Sequence, residues 1–533
     1  MTGTALRFPS RDAILASALD ALERGAFADA AAGCASLIAV CPDDAEALCL
    51  GGVAAGAAGD IETAARLLHD AAMYRGRAGH PMLDLIALLR RTGQRSLIEP
   101  QLRAALRLAP RDRTLSHSLA DTVYEAGRYD DARSILQDMV RRDPADLPAR
   151  NLLAMTLAAT GDTAAAIGQF IAAIKLDPGQ PGLWANLGLL LKDDGRFEEA
   201  VAAYDTAVRL SPNDARIRVN RVVALLRAGL WAKAWPDFEW RLLTMDNPRP
   251  RSRLLPDLAS VSGRTVLITH EDGFGDTLHF VRYAPLLAAR GARVIAAVPK
   301  PLSRIIASVA GVSEVCDVRM AWPDHDFECP FFSLPRVFET APDTIPPCPG
   351  YLRADPDDVA VWKRRLDGLS GLRVGLVWAG QARPDAVGFV LLDGRRSLAL
   401  SAFAPLTTIP GISFIALQHG VESMQALTPP AGMRLIDPMG GVRDFADTAA
   451  IVANLDLVIT VDTAMAHLGG GLGRPVFLLD RYDHCWRWLS GRDDSPWYPS
   501  MRIFRQPRIG DWDTPMRAVA RALADRRIPA AVM

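Results

Sequence analysis

The chain has 533 residues, which at roughly 150 residues per folding unit predicts three or four units and excludes a single small disulfide knot. Lys+Arg 60 against Asp+Glu 61 leave a formal net charge of −1, so there is no overall cationic field for nucleic acid or anionic lipid, and any charged site must be local. With 50% hydrophobic and 23% charged residues, the composition is that of a globular chain with material for more than one core, which excludes wholesale disorder.

Met1 to Ser10 lacks the basic-then-apolar order of a signal peptide, and no apolar run approaches the roughly 18 residues of a spanning helix. A cytoplasmic chain without a transmembrane segment is expected. The seven cysteines (Cys34, Cys41, Cys49, Cys316, Cys329, Cys348 and Cys485) are odd in number and form no CxxC pair, which argues for buried thiols over a disulfide framework or a structural zinc site.

The N-terminal half is periodic. Gly25, Gly59, Gly93, Gly127, Gly161, Gly195 and Gly229 lie on one grid with a spacing of 34 residues. A proline recurs seventeen places past the glycine as Pro42, Pro110, Pro144, Pro178 and Pro212, with Gly76 in the one gap, and an alanine recurs five places past it as Ala30, Ala64, Ala132, Ala166, Ala200 and Ala234, with Ile98 the exception. This spacing predicts a helix pair per unit: the glycine ends the first helix in the left-handed region, the alanine lets the second helix pack closely, and the proline stops it. The unit Trp184-x2-Leu187-Gly188-x2-Leu191, followed by Ala200, Tyr204, Ala207 and Pro212, resembles the tetratricopeptide repeat, and the resemblance covers roughly residues 11–245 in about seven units. Such units stack into a superhelix whose concave face usually holds a peptide or protein segment, so a protein partner is implied; self-association or spacing of the other half is the alternative. The first three units are Ala-rich. The last runs into Trp231, Trp235, Phe238, Trp240 and Arg241, a cluster read as a capping core rather than a ligand platform.

The stretch from Asn247 to Arg253 reads as a linker. Beyond it come short β-rich runs separated by helices: Thr265–Thr269, Ala292–Val298, Leu372–Trp378, Ile412–Leu417, Leu455–Thr460 and Pro475–Leu479. That alternation predicts two doubly wound, parallel α/β halves, with Pro346 to Pro356 between them and a cleft at their facing strand ends.

Two segments could carry chemistry. The first strand leads into His270-Glu271-Asp272-Gly273-Phe274-Gly275-Asp276 and a helix expected near Thr277, where glycines allow close backbone approach and helix-start amides suit an anion. The run lacks the third glycine of a dinucleotide fingerprint and the lysine of a P-loop, so NAD binding and ATP hydrolysis both lose ground. Late in the chain, Asp462-Thr463-Ala464-Met465-Ala466-His467 follows a strand and opens a helix, placing amides of Thr463 and Ala464 where a diphosphate would be stabilised. The structural alternative makes Asp462 a helix N-cap and His467 a satisfied interior histidine. Asp324-His325-Asp326 and Asp511-Trp512-Asp513 fit a loose Asp-x-Asp metal pattern but have no converging second site, and no Gly-x-Ser-x-Gly elbow of a hydrolase occurs.

Taken together, Gly275-Asp276 and Asp462-Thr463-x3-His467 resemble the heptosyltransferase-like glycosyltransferases of the GT-B fold. The stretch from Asp444 through Gly473-Arg474-Pro475, then Asp494-Ser-Pro-Trp-Tyr-Pro499, is similar to bacterial proteins that join tetratricopeptide repeats to such a region, over roughly residues 262–527; the protein O-linked N-acetylglucosamine transferases are a more distant likeness. The resemblance implies a tetratricopeptide superhelix (11–245), an acceptor-side Rossmann-like domain (262–350), a nucleotide-sugar domain (371–510) and a C-terminal helix (511–527), the two Rossmann-like domains forming a GT-B pair. It implies a nucleotide-sugar held by Gly273, Phe274, Gly275, Arg395, Arg396, Ser397, Gln418, Asp462, Thr463, Ala464 and His467, with Asp276 as the base and no metal or cofactor. Beside Gln418 relatives often carry a lysine, where this chain has His419. His270 and Glu271 are rival bases, and a helix cap is the structural alternative for Asp276. The expected activity is inverting, metal-independent transfer of a sugar to an acceptor hydroxyl, on a protein recognised by the repeats. An enzyme of cell-envelope polysaccharide assembly and a repeat scaffold with an inactive GT-B half are the alternatives.

Overall fold

A computed structural model describes residues 10–74, 80–244, 253–271, 273–347, 350–381 and 393–532. Most of the expected linker, Asp272, Cys348 and most of the loop between Gly380 and Asp393 lie outside the described residues. The chain divides into two compact units, Met1–Leu190 and Leu191–Met533. Among the described residues, fourteen α-helices precede the first strand, and no helix is long and apolar enough to cross a membrane.

The first unit is built from helix pairs such as Arg113–Glu125 with Tyr129–Arg142 and Leu147–Ala159 with Thr163–Leu176. Every glycine of the 34-residue grid takes positive φ, from +74° to +91°, which ends one helix and redirects the chain into the next. The helices that follow Pro110 and Pro144 begin on aspartate caps: Asp112 accepts from the Leu115 amide at 3.0 Å and Asp146 from the Ala149 amide at 3.0 Å. Ala30, Ala64, Ala132 and Ala166 are fully buried where the second helix of each pair meets the first. The small residues of the early repeats are used for close approach, since a Cβ placed on Gly56 would lie 2.5 Å from Leu85 Cδ2.

The second unit takes up the remaining repeat helices and the α/β part. Among the described residues its ten strands are β1 (Thr265–Thr269), β2 (Arg293–Val298), β3 (Val312–Asp317), β4 (Phe327–Pro330), β5 (Leu372–Val377), β6 (Ile412–Ala416), β7 (Leu435–Ile436), β8 (Leu457–Val461), β9 (Val476–Asp480) and β10 (Met501–Arg505). They form two all-parallel sheets, of order β3-β2-β1-β4 and β10-β9-β8-β5-β6-β7. The six predicted runs correspond to β1, β2, β5, β6, β8 and β9. β3, β4, β7 and β10 are additions: β7 has two residues, and β3 is only half-buried along its length, so neither leaves an apolar run to read. Helix Asp513–Ala524 closes the chain over the six-stranded sheet.

The aromatic cluster at the end of the repeats is core. Trp231 stacks on Trp497 (centroids 5.6 Å, planes 17° apart) and meets Trp486 edge-on, while Trp235 Nε1 donates to the Thr340 carbonyl at 3.0 Å. Arg241 donates from Nε and Nη2 to the two oxygens of Glu271 at 2.8 and 2.9 Å, and to Ser333 Oγ at 2.6 Å. The final repeat helices and the first α/β sheet therefore share one hydrophobic core.

Candidate functional site

In the six-stranded sheet β5, β6 and β7 run outward in one direction and β8, β9 and β10 in the other, so strand order reverses between β5 and β8. Open parallel sheets bind ligands in the crevice beyond the carboxyl ends at such a reversal. Here those ends are Trp378–Gly380 and Asp462–Ala464. Arg396 spans them: a Cβ placed on Gly380 would lie 2.6 Å from its Nε, and its Nη1 donates to the Asp462 carbonyl at 3.3 Å. Its charge is matched by Asp393 at 2.6 Å. Ser397 Oγ accepts from the Gly380 amide at 3.1 Å, and Arg395 pairs with Asp483 at 3.0 Å, so Arg395, Arg396 and Ser397 are each tied to the chain around the strand ends.

Thr463, and not Asp462, caps helix Ala464–Gly471, its hydroxyl accepting from the Met465 amide at 3.3 Å. The cap alternative for Asp462 is thereby corrected: a side chain one place later already satisfies the helix start. Gln418, expected to face ligand, spends its polar atoms on backbone. Its Oε1 accepts from the Trp378 and Ala379 amides at 3.0 and 2.9 Å, and its Nε2 donates to the Ala379 and His419 carbonyls at 3.0 Å each. It holds the β5 and β6 ends together and is buried.

The early motif meets the late one. Helix Phe274–Phe280 begins three residues sooner than the sequence predicts and packs on helix Ala464–Gly471. A Cβ on Gly275 would lie 3.0 Å from His467 Cδ2 and 3.4 Å from Ala464 Cα, so glycine is what allows the two helices to touch. Phe274 sets its ring edge-on to Phe445 at 5.6 Å. Asp276 accepts from the Gly273 amide through Oδ2 at 3.3 Å, the helix-cap contact of the structural alternative, and through Oδ1 from Arg487. Its side chain keeps 24% of its exposure. Of the rival bases, Glu271 is taken up by Arg241 and His270 Nδ1 is bonded to Thr277 Oγ1 at 2.8 Å.

His467 is an interior histidine. Its Nδ1 lies 3.0 Å from the Tyr498 hydroxyl, and its ring is stacked between Trp488 (5.4 Å) and His279 (4.7 Å). Burial, with Arg487 and Arg282 beside it, pushes its imidazole well below its ordinary value, so the neutral ring is the stable form. Arg282, fully buried, donates to the Trp497 carbonyl at 3.0 Å and lies over the Tyr498 ring at 4.7 Å. Asp276, Gly275, Ala464, His467 and Arg487 thus form one contiguous group, while Arg395, Arg396, Ser397, Asp462 and Thr463 line the strand ends beside it. Sequence reading missed Arg282 and Arg487, because Arg487 meets Asp276 across 211 positions and neither arginine sits in a local motif.

Comparison with known proteins follows the division of the fold. The tetratricopeptide-repeat family model matches residues 88–146, 117–181 and 185–248, and the chain carries tetratricopeptide repeats. Protein FlbA of Caulobacter vibrioides is 29% identical over 457 residues, spanning 79% of this chain and 74% of that protein, a stretch too long for the repeats alone. The human protein O-mannosyl-transferase TMTC1 is 28% identical over 136 residues, which is 26% of this chain and 15% of that one. A crystal structure of MamA protein covers 30% of this chain and 88% of its own, at 22% identity and a TM-score of 0.28.

Proposed function

We propose that the α/β part transfers a sugar from a nucleotide-sugar to an acceptor hydroxyl, with a protein bound by the repeats as the acceptor. The observation that carries this reading is the contact of Gly275 with Ala464 and His467, which brings the two motifs resembling heptosyltransferase-like enzymes to one place beside a strand-order reversal. The likeness to TMTC1 lies over repeats and brings no chemistry with it.

In the proposed reaction Asp276 takes the proton of the acceptor hydroxyl, whose oxygen forms a bond to the anomeric carbon as the bond to the diphosphate breaks. The ion pair with Arg487 fixes the direction of the Asp276 carboxylate, which makes Arg487 a positioning residue. Charge on the departing diphosphate would be received by Arg396 and by amides at the Thr463–Ala464 helix start. Asp276→Asn is expected to lower transfer by about 100-fold or more while changing nucleotide-sugar affinity by less than about threefold. Undiminished transfer by the variant would remove Asp276 from the chemistry.

A second reading is favoured by the same ion pair. If the Asp276–Arg487 contact is purely structural, the unit is an interaction scaffold that binds a nucleotide without turning it over. Thermal stabilisation by nucleoside diphosphates with no sugar product from any nucleotide-sugar would favour that reading.

A further inference from the structure

Next to the crevice, the turn after β9 carries Arg481, Asp483 and His484, and helix Ala215–Arg227 packs against its continuation, Trp486–Trp488. Lys192 Nζ lies 3.3 Å and Arg227 Nη1 3.5 Å from the same Asp193 oxygen. Arg481 Nε lies 3.6 Å from one oxygen of Asp483, whose other oxygen takes Arg395 at 3.0 Å. Four cations therefore share two carboxylates, a surplus of two positive charges. Among the described residues, the neighbouring pairs Arg396–Asp393, Arg487–Asp276 and Arg505–Asp480 each add one cation and one carboxylate. Asp462, beside Arg487 and Asp480, is a further carboxylate that offsets one of these two charges and leaves a surplus of one.

Arg227 is 6% and Arg481 8% exposed. Among the described residues, no hydrogen-bond partner reaches Arg227 Nε or Arg481 Nε and Nη1. Buried guanidinium donors are ordinarily satisfied, and unmatched buried charge is expensive, so these groups suit an acceptor of negative charge. The like charges also act on one another: burial and then Arg481 push the Arg227 guanidinium down, and burial with Arg505, Arg227 and Arg481 nearby lowers His484 to about 3.

We infer that Arg227 and Arg481, with Arg395 at the rim, form a binding site for a phosphate-class dianion, so that the last full repeat helix supplies part of the anion pocket. A planar guanidinium pair gives the forked donors that phosphate oxygens accept. The site stands on the geometry above; its assignment to the diphosphate of a nucleotide-sugar rests on the transferase reading.

The test is thermal denaturation of the full chain in inorganic pyrophosphate and in uridine, guanosine, cytidine and adenosine diphosphates, at constant ionic strength set with sodium chloride. Pyrophosphate is expected to raise the midpoint of the wild type, and Arg227→Gln and Arg481→Gln each to weaken that response by about tenfold or more in concentration. Arg395→Gln, at a position with 37% of its side chain exposed, is the variant least prone to misfold and is expected to weaken it several-fold. A wild-type midpoint unmoved by pyrophosphate and by every diphosphate overturns the inference. So does a response that survives in Arg227→Gln and Arg481→Gln but is lost in Arg396→Gln, and that result leaves the donor reading standing. A pyrophosphate response that needs Arg227 and Arg481, with no gain from any nucleoside, supports the anion site and removes the donor reading.

Discussion

His279 shows how the site region was assembled at the cost of local satisfaction. Its ring is buried between Phe280 and His467, stacked on each (4.2 and 4.7 Å), and among the described residues neither of its nitrogens has a hydrogen-bond partner. Burial first, then His467, Arg282 and Arg487, push the imidazole well below its ordinary value. Replacing it by a ring that needs no partner, His279→Phe, is expected to raise stability by about 1–2 kcal/mol at neutral pH, read from chemical denaturation. The pH dependence has a definite sign. Buried neutral His279, His467 and His484 refuse a proton that the unfolded chain accepts, so stability present above about pH 6.5 is lost on acidification, by about 1.4 kcal/mol per pH unit for each ring. His279→Phe should reduce that slope by one ring's share. Asp480 runs the opposite way: burial first, and Asp462, raise its carboxyl to about 7 against the pull of Arg505. It therefore gains stability for the fold as pH falls from about 7 toward 4, a single proton against three, and acid should remain net destabilising. An unchanged midpoint between pH 7.5 and 5.5 would contradict the neutral histidine stack.

At the scale of elements, the helix contact made by Gly275 is the joint on which the site depends. Gly275→Leu puts a side chain where even a Cβ would lie 3.0 Å from His467, so the helices must separate. The expected cost is about 1–3 kcal/mol with at least about tenfold lower transfer, measured by denaturation and by product formation; wild-type values for both would show that the contact is dispensable. The elements were unequally legible. The 34-residue glycine grid could be read because each position demands left-handed backbone, a requirement that a single residue type meets. Strands such as β8, buried from Leu457 to Val461, announce themselves as apolar runs. β3, with Ser313, Glu314 and Asp317 in a half-buried strand, does not. The site divides in the same way. Gly275 and Thr463 sit in local motifs, whereas Arg227, Arg481 and Arg487 acquire their meaning from neighbours brought in by folding. Gln418 was visible as a polar strand end, but its use as a four-bond clamp depends on a β5 backbone 39 positions away.

At the scale of the whole molecule, the end of the repeats is structural material for the α/β part. Trp231 is among the largest fully buried side chains and meets Trp486 and Trp497, so Trp231→Ala is expected to cost roughly 3–5 kcal/mol in equilibrium denaturation of the intact chain. A fragment starting at residue 180 should unfold in one cooperative transition, and one starting at residue 262, without Trp231 and Arg241, should not; cooperative unfolding of the shorter fragment would refute the shared core. The most direct measurement is a mass-spectrometric inventory of glycopeptides from cells carrying the wild-type chain and cells carrying Asp276→Asn at equal expression. Loss of a specific sugar mass from hydroxyl-bearing peptides in the variant, restored by the wild-type chain, is the expected result, and identical inventories in the two would contradict sugar transfer to protein by this molecule.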